Sequence, residues 1–166
     1  MLKYFIYLSV LWFVGCADHP VNFIKLTPTS LQESYIQATR KTEIIYQEKT
    51  QIILIATHLN AFNEEAYPKQ KGEIFFVSVY QSDGKKDFLK AYNLVLNSGE
   101  KPLKVTPLKA SELQGLIAEY AIPWGEYYLL EFSPQNKRIQ DRLSITLSHK
   151  KFGENTLNFG FKAIQK

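Results

Sequence analysis

The segment Leu143-Ser144-Ile145-Thr146-Leu147-Ser148 alternates apolar and hydroxyl side chains without a break. Successive side chains of a strand point to opposite faces, so this spacing yields one buried and one wet face of a sheet, not the stripe of a helix. Leu157-Asn158-Phe159-Gly160-Phe161-Lys162 has a similar pattern, and Lys150 to Asn155, with Gly153, supplies a connection of hairpin length. These two segments are expected to be antiparallel neighbours. Ile52 to Ala56 and Ile74 to Tyr80 are more continuously apolar, as in strands that cross the middle of a core. Strands are expected at Thr42–Gln47, Ile52–Leu59, Ile74–Tyr80, Tyr92–Leu96, Leu116–Ile122, Tyr127–Phe132, Leu143–Ser148 and Leu157–Lys162, with short helical turns at Leu31–Thr39 and Ser111–Gln114. Runs of this kind predict an all-β domain, an antiparallel sandwich of two sheets with about eight strands, immunoglobulin-like only in the loose architectural sense.

The chain contains one cysteine, Cys16, so no disulfide can form within it and packing alone must hold the fold. Cys16 follows a leader whose Lys3 and amino terminus precede an apolar run of 11 residues, Tyr4 to Val14. As a helix that run spans roughly 16 Å, about half of a ~30 Å hydrocarbon core, which is too short for a membrane span. With Val14, Gly15 and Cys16 in place, the segment resembles the lipobox of the bacterial lipoprotein family, Phe13 standing where that family usually has Leu. The resemblance covers about the first tenth of the chain. It implies cleavage before Cys16, a diacylglycerol on the Cys16 sulfur and an acyl chain on the new amino terminus. Two or three such chains make a lasting membrane anchor, because each buried methylene contributes ~0.8 kcal/mol. Ala17, rather than Asp, in the second place of the mature chain implies the periplasmic face of an outer membrane.

The expected organisation is therefore a signal peptide over 1–15, a lipidated cysteine and tether over 16–30, and the sandwich over 31–166. Pro20 and Pro28 and the lack of periodicity suit a tether, which reaches at most ~50 Å when fully extended. The 151 residues after the leader fit one domain with one core. They carry 19 Lys and Arg against 16 Asp and Glu, and the excess gathers at expected turns, as at Lys85, Lys86 and Lys90. Such a rim keeps a protein soluble or draws it to anionic lipid. No nucleic-acid partner is expected in the envelope.

Catalytic signatures do not emerge. His19, His58 and His149 are far apart without metal-ligand spacing, and neither Gly-x-Ser nor Gly-x-Gly occurs. Glu64 and Glu65 sit beside Lys69 and Lys71 in a polar stretch that reads as a solvated bend. The densest aromatic segment runs from Tyr120 to Tyr128, with Trp124 between Pro123 and Gly125. Two readings stand: Trp124 and Tyr127 form an exposed binding platform for a glycan or protein, or Trp124 plugs the sandwich while Tyr120 and Tyr128 fill its core. The chain is thus read as a non-enzymatic, membrane-anchored envelope lipoprotein that needs no cofactor and binds or braces an envelope protein or glycan. The alternative is a carrier of a lipid or small hydrophobic ligand.

Overall fold

A computed structural model describes residues 30–84 and 87–160. Cys16, the leader and the tether lie outside the described residues. Strands β1 (Thr39–Tyr46), β2 (Lys49–His58), β3 (Glu73–Gln81), β5 (Lys104–Leu108) and β6 (Glu126–Phe132) form one sheet in the order β1-β2-β3-β6-β5. Strands β4 (Asn93–Leu96), β7 (Ser144–His149) and β8 (Gly153–Asn158) form a second in the order β4-β7-β8. All pairings are antiparallel. The helices are short: α1 (Ser30–Gln37), α2 (Leu59–Phe62), α3 (Gly115–Tyr120) and α4 (Lys137–Gln140). None of them is long and apolar enough to cross a membrane.

Alternation along the strands builds the core. Ile52, Leu54 and Ala56 of β2, with Phe75, Val77 and Val79 of β3, pack in one cluster with Leu94 of β4 and with Ile145 and Leu147 of β7. Apart from Ala56, each such side chain contributes about 1.5–3 kcal/mol when fully buried, which is what replaces cross-links in this domain. The opposite face of β3 and β6 is also covered: Phe76 and Tyr127 pack with Leu59, Ile117 and Leu113 in a second cluster. Burial on both faces explains why β3 reads as an almost unbroken apolar run.

The sheet edges are managed by side chains. Arg40 Nε donates to Asn158 O at 2.9 Å and Asn155 Nδ2 donates to Glu43 O at 3.0 Å, so β1 lies antiparallel beside β8 across the gap between the sheets. At the other margin the chain leaves β4 through Asn97-Ser98-Gly99 and crosses to β5. Glu100 fixes that crossover by accepting from Ser133 N (3.0 Å), Ser133 Oγ (2.7 Å) and Gln135 Nε2 (2.8 Å).

The two-sheet sandwich matches the expected class, with three local corrections. Leu116–Ile122, expected as a strand, is largely α3: Ile117 and Ala121 pack under Tyr127 while Glu119 between them is exposed, whereas a strand would turn all three to one face. The missing strand is β5, hidden by Pro107, which only an edge strand accepts. The last strand begins at Gly153 rather than Leu157 and pairs His149 with Gly153, leaving a three-residue turn; Phe161 and Lys162 lie outside the described residues.

Gly72 enters β3 at φ +119°, and a Cβ there would lie 2.1 Å from Phe132 O. Gly72→Ala is expected to lower unfolding free energy by about 3 kcal/mol in urea titration, against about 1 kcal/mol for Gly99→Ala, where only the positive φ (+83°) opposes the change. Glu100 has its pKa lowered, first by the Ser133 hydroxyl and then by the Ser133 amide. A depressed folded-state pKa gives stability that is complete above the unfolded glutamate range and lost as pH falls through the folded value. The stability difference between wild type and Glu100→Gln should therefore be constant at neutral pH and shrink on acidification through and below that range, as read by denaturation at each pH.

Candidate functional site

At one end of the sandwich, where β2 stops and β3 starts, a cleft of about 510 Å³ opens between the sheets' margin, α4 and the segment after β8. Its base holds a carboxyl in an unusual place. Glu73 is 0% exposed, yet it is the first residue of β3 and lies on the same face as Phe75, toward the core. A buried carboxyl must be fully partnered, and both of its oxygens are. His58 Nε2 sits 2.7 Å from Oε2, and Gln140 Nε2 donates to Oε1 at 2.8 Å.

Register explains the meeting. His58 pairs with Phe75 across the β2–β3 ladder, so His58, Phe75 and Glu73 share one face of the sheet. The imidazole stacks on Phe75 at 4.8 Å and meets the edge of Phe159 at 6.1 Å, which fixes the ring plane. With Nε2 committed to Glu73, Nδ1 is the ring's remaining polar atom.

Neighbouring elements are set as firmly. Asn60 on α2 is 1% exposed; its Nδ2 donates to Tyr67 O and Gly72 O, both at 2.9 Å, while Oδ1 accepts from Ile74 N at 2.7 Å. One amide thereby clamps the loop that carries Lys69 to the cleft. On the far side Asn136 caps α4 by accepting from Ile139 N at 3.1 Å, and Lys137 and Gln140, three residues apart on that helix, both line the cleft. Gly160 closes the wall so tightly that a Cβ there would lie 2.5 Å from Asp141 O.

The lining combines the cations Lys69 and Lys137, the anion Asp141 and the apolar Ala61, Leu143 and Phe159. Among the described residues that line the cleft there is no hydroxyl or thiol to set beside His58 as a nucleophile. Among the described residues no three His, Cys, Asp or Glu side chains converge as a metal site needs.

The residues singled out by sequence fall elsewhere. Trp124 is 72% exposed, in the turn that Gly125 N closes on Ile122 O, so it does not plug the sandwich. Tyr127 is 6% exposed, stacks on Phe76 and donates its hydroxyl to Ile122 O. Trp124 and Tyr127 therefore do not share an exposed platform: strand alternation turns Tyr127 inward under α3. Tyr128 is buried on the opposite face, its hydroxyl 2.7 Å from Glu126 Oε2, and burial first and that carboxylate second raise its pKa. Tyr120 stays exposed and stacks on Tyr35. His149 serves its turn, its Nδ1 accepting from Lys151 N and Phe152 N. Glu64 pairs with Lys69 at 3.5 Å on the surface, and Glu65 is exposed. The space a carrier would need between the sheets is filled by Phe75, Phe88 and Phe132.

Sequence reasoning missed the His58–Glu73 pair. The available signal was a charged residue abutting the apolar run Ile74 to Tyr80 and a histidine ending another run. Comparisons of the chain with protein-family models, with curated proteins and with solved structures returned no match.

Glu73→Leu strands both the His58 and Gln140 nitrogens and should cost about 3–5 kcal/mol in chemical denaturation, whereas Glu73→Gln, which keeps the shape and part of the bonding, should cost less than half of that.

Proposed function

We propose that this chain is a lipid-anchored protein of the cell envelope, held at the periplasmic face of an outer membrane, whose β-sandwich is a non-catalytic binding module. The cleft at the His58–Glu73 end is its recognition site, and the occupant is a polar group presented by an envelope protein or glycan. The observation that carries the reading is the construction of the cleft itself: a base whose polar atoms are locked by His58, Glu73 and Gln140, apolar walls, and charged groups converging at the rim. Such preorganisation favours holding a group over transforming it, and among the described residues that line the cleft none sets a hydroxyl or thiol beside His58. The anchor rests on the Val14-Gly15-Cys16 motif.

A photo-crosslinking residue in place of Ala61, an exposed position on the cleft wall, should capture a discrete envelope component in cells. Lys69→Glu combined with Lys137→Glu should reduce that adduct at least tenfold without altering expression. The same crosslinker at Leu103, exposed and distant in the chain, should capture none. Recovery of uncrosslinked monomer alone from the Ala61 position would sink the binding role, and an unmodified Cys16 sulfur in the intact mass of the native product would remove the anchor.

A further inference from the structure

We propose that the outer face of the larger sheet rests on the phospholipid surface to which the chain is tethered. The claim deepens the anchor reading above and depends on it for the source of the tether. A groove of about 300 Å³ runs over this face, floored by Ile55, Phe76 and Ser78 and walled by α1 and α3. Lys41, Ile55, Ser78 and Tyr127 form one cross-strand row, so Lys41 projects on the same side as the groove floor.

The walls show apolar groups to solvent where a sandwich with no partner would show polar ones. Ile36 of α1 is 52% exposed, and Leu31, one turn before the groove-lining Tyr35, is 51% exposed. On the other wall Tyr120 is exposed and held rigid by stacking on Tyr35 at 5.3 Å. Four residues on, past Pro123, comes Trp124, the most exposed aromatic side chain among the described residues. Tyrosine and tryptophan suit the headgroup level of a bilayer, where a ring is half in hydrocarbon and half in water. Lys41 lines the same groove and adds attraction to anionic headgroups.

Connectivity selects the bilayer over other occupants. The chain passes from Cys16 to Ser30 in fourteen steps, at most about 50 Å, and Ser30 is the first residue of α1, a wall of the groove. A lipid on Cys16 therefore pulls this wall, before any other part of the domain, toward the membrane.

The test uses the chain from Cys16 onward, coupled through its single thiol to maleimide-phosphatidylethanolamine in vesicles of phosphatidylethanolamine and phosphatidylglycerol. Trp124 is then the only tryptophan. On the vesicles its emission should shift to the blue, its quenching by acrylamide should fall at least threefold, and brominated acyl chains should quench it. Ile36→Asp with Tyr120→Asp should restore acrylamide access. Lys41→Glu, at an exposed position that leaves the core intact, should weaken protection in phosphatidylglycerol-containing vesicles and not in neutral ones. Equal acrylamide access on and off vesicles overturns the proposal, as does protection that appears only on native membranes, which would assign the face to a protein. Because the maleimide supplies the tether, a failure of Cys16 lipidation in cells is read separately by intact mass and leaves this measurement decisive.

Discussion

Glu73 places an ionisable carboxyl where no solvent reaches, at the start of the strand that runs through the centre of the five-stranded sheet. Removing such a group from water costs several kcal/mol unless its lone pairs are taken up, and here they are taken up by two residues from distant parts of the chain. His58 arrives from the end of β2, fifteen residues earlier, and Gln140 from α4, sixty-seven residues later. The pair of bonds therefore ties the first hairpin meander to the connection between the two sheets. A chain lacking disulfides has few other ways to fix an end of its sandwich, and the cleft is a by-product of that fixation: its base is polar because Glu73 is there, and ordered because Glu73 has to be satisfied.

The same economy governs the edges. A five-stranded sheet has two exposed margins, each a template for pairing with another chain. One is blunted by Arg40 and Asn155, which reach from β1 to β8 and from β8 to β1 with side chains where backbone pairing stops. The other is β5, short and carrying Pro107, with the cross-strand pair of Lys104 and Glu131 at 2.8 Å on its outer end. Recognition by strand addition thus has little edge of this sheet to use.

Periodicity made the strands legible and failed where two periods overlap. Ser144 to Ser148 follows its alternation into β7, and the unbroken apolar run of β3 reflects cover on both faces. Leu116 to Ile122 contains enough β-branched and aromatic residues to pass as a strand, yet Ile117 and Ala121 pack against the cluster around Tyr127 while Glu119 between them faces solvent, which suits a helical turn and not a strand. Pro107 concealed β5 because the residue that marks a break also marks an edge. The cleft was illegible for a different reason. His58 and Glu73 meet through the register of a ladder, a property of pairing that no local window carries. Trp124 and Tyr127, by contrast, are close in sequence and were weighed together, but an odd separation that spans the start of a strand sends them to different environments.

The groove and the cleft are joined by one short rigid element. Tyr35, a wall of the groove, meets the edge of Phe62 at 5.4 Å, and Phe62 belongs to α2, whose Ala61 lines the cleft. Four residues of helix would normally fray, since so short a segment cannot sustain itself. Asn60 prevents this by binding the backbone of Tyr67, Gly72 and Ile74, and Gly72 in turn admits no side chain against Phe132. The orientation of α1 is therefore transmitted to the cleft through packed aromatic rings and a clamped amide rather than through a loop. If the outer face sits on lipid, the cleft is held at a set height and angle above it, which is the arrangement a tethered receptor needs to meet a partner that is itself fixed in the envelope.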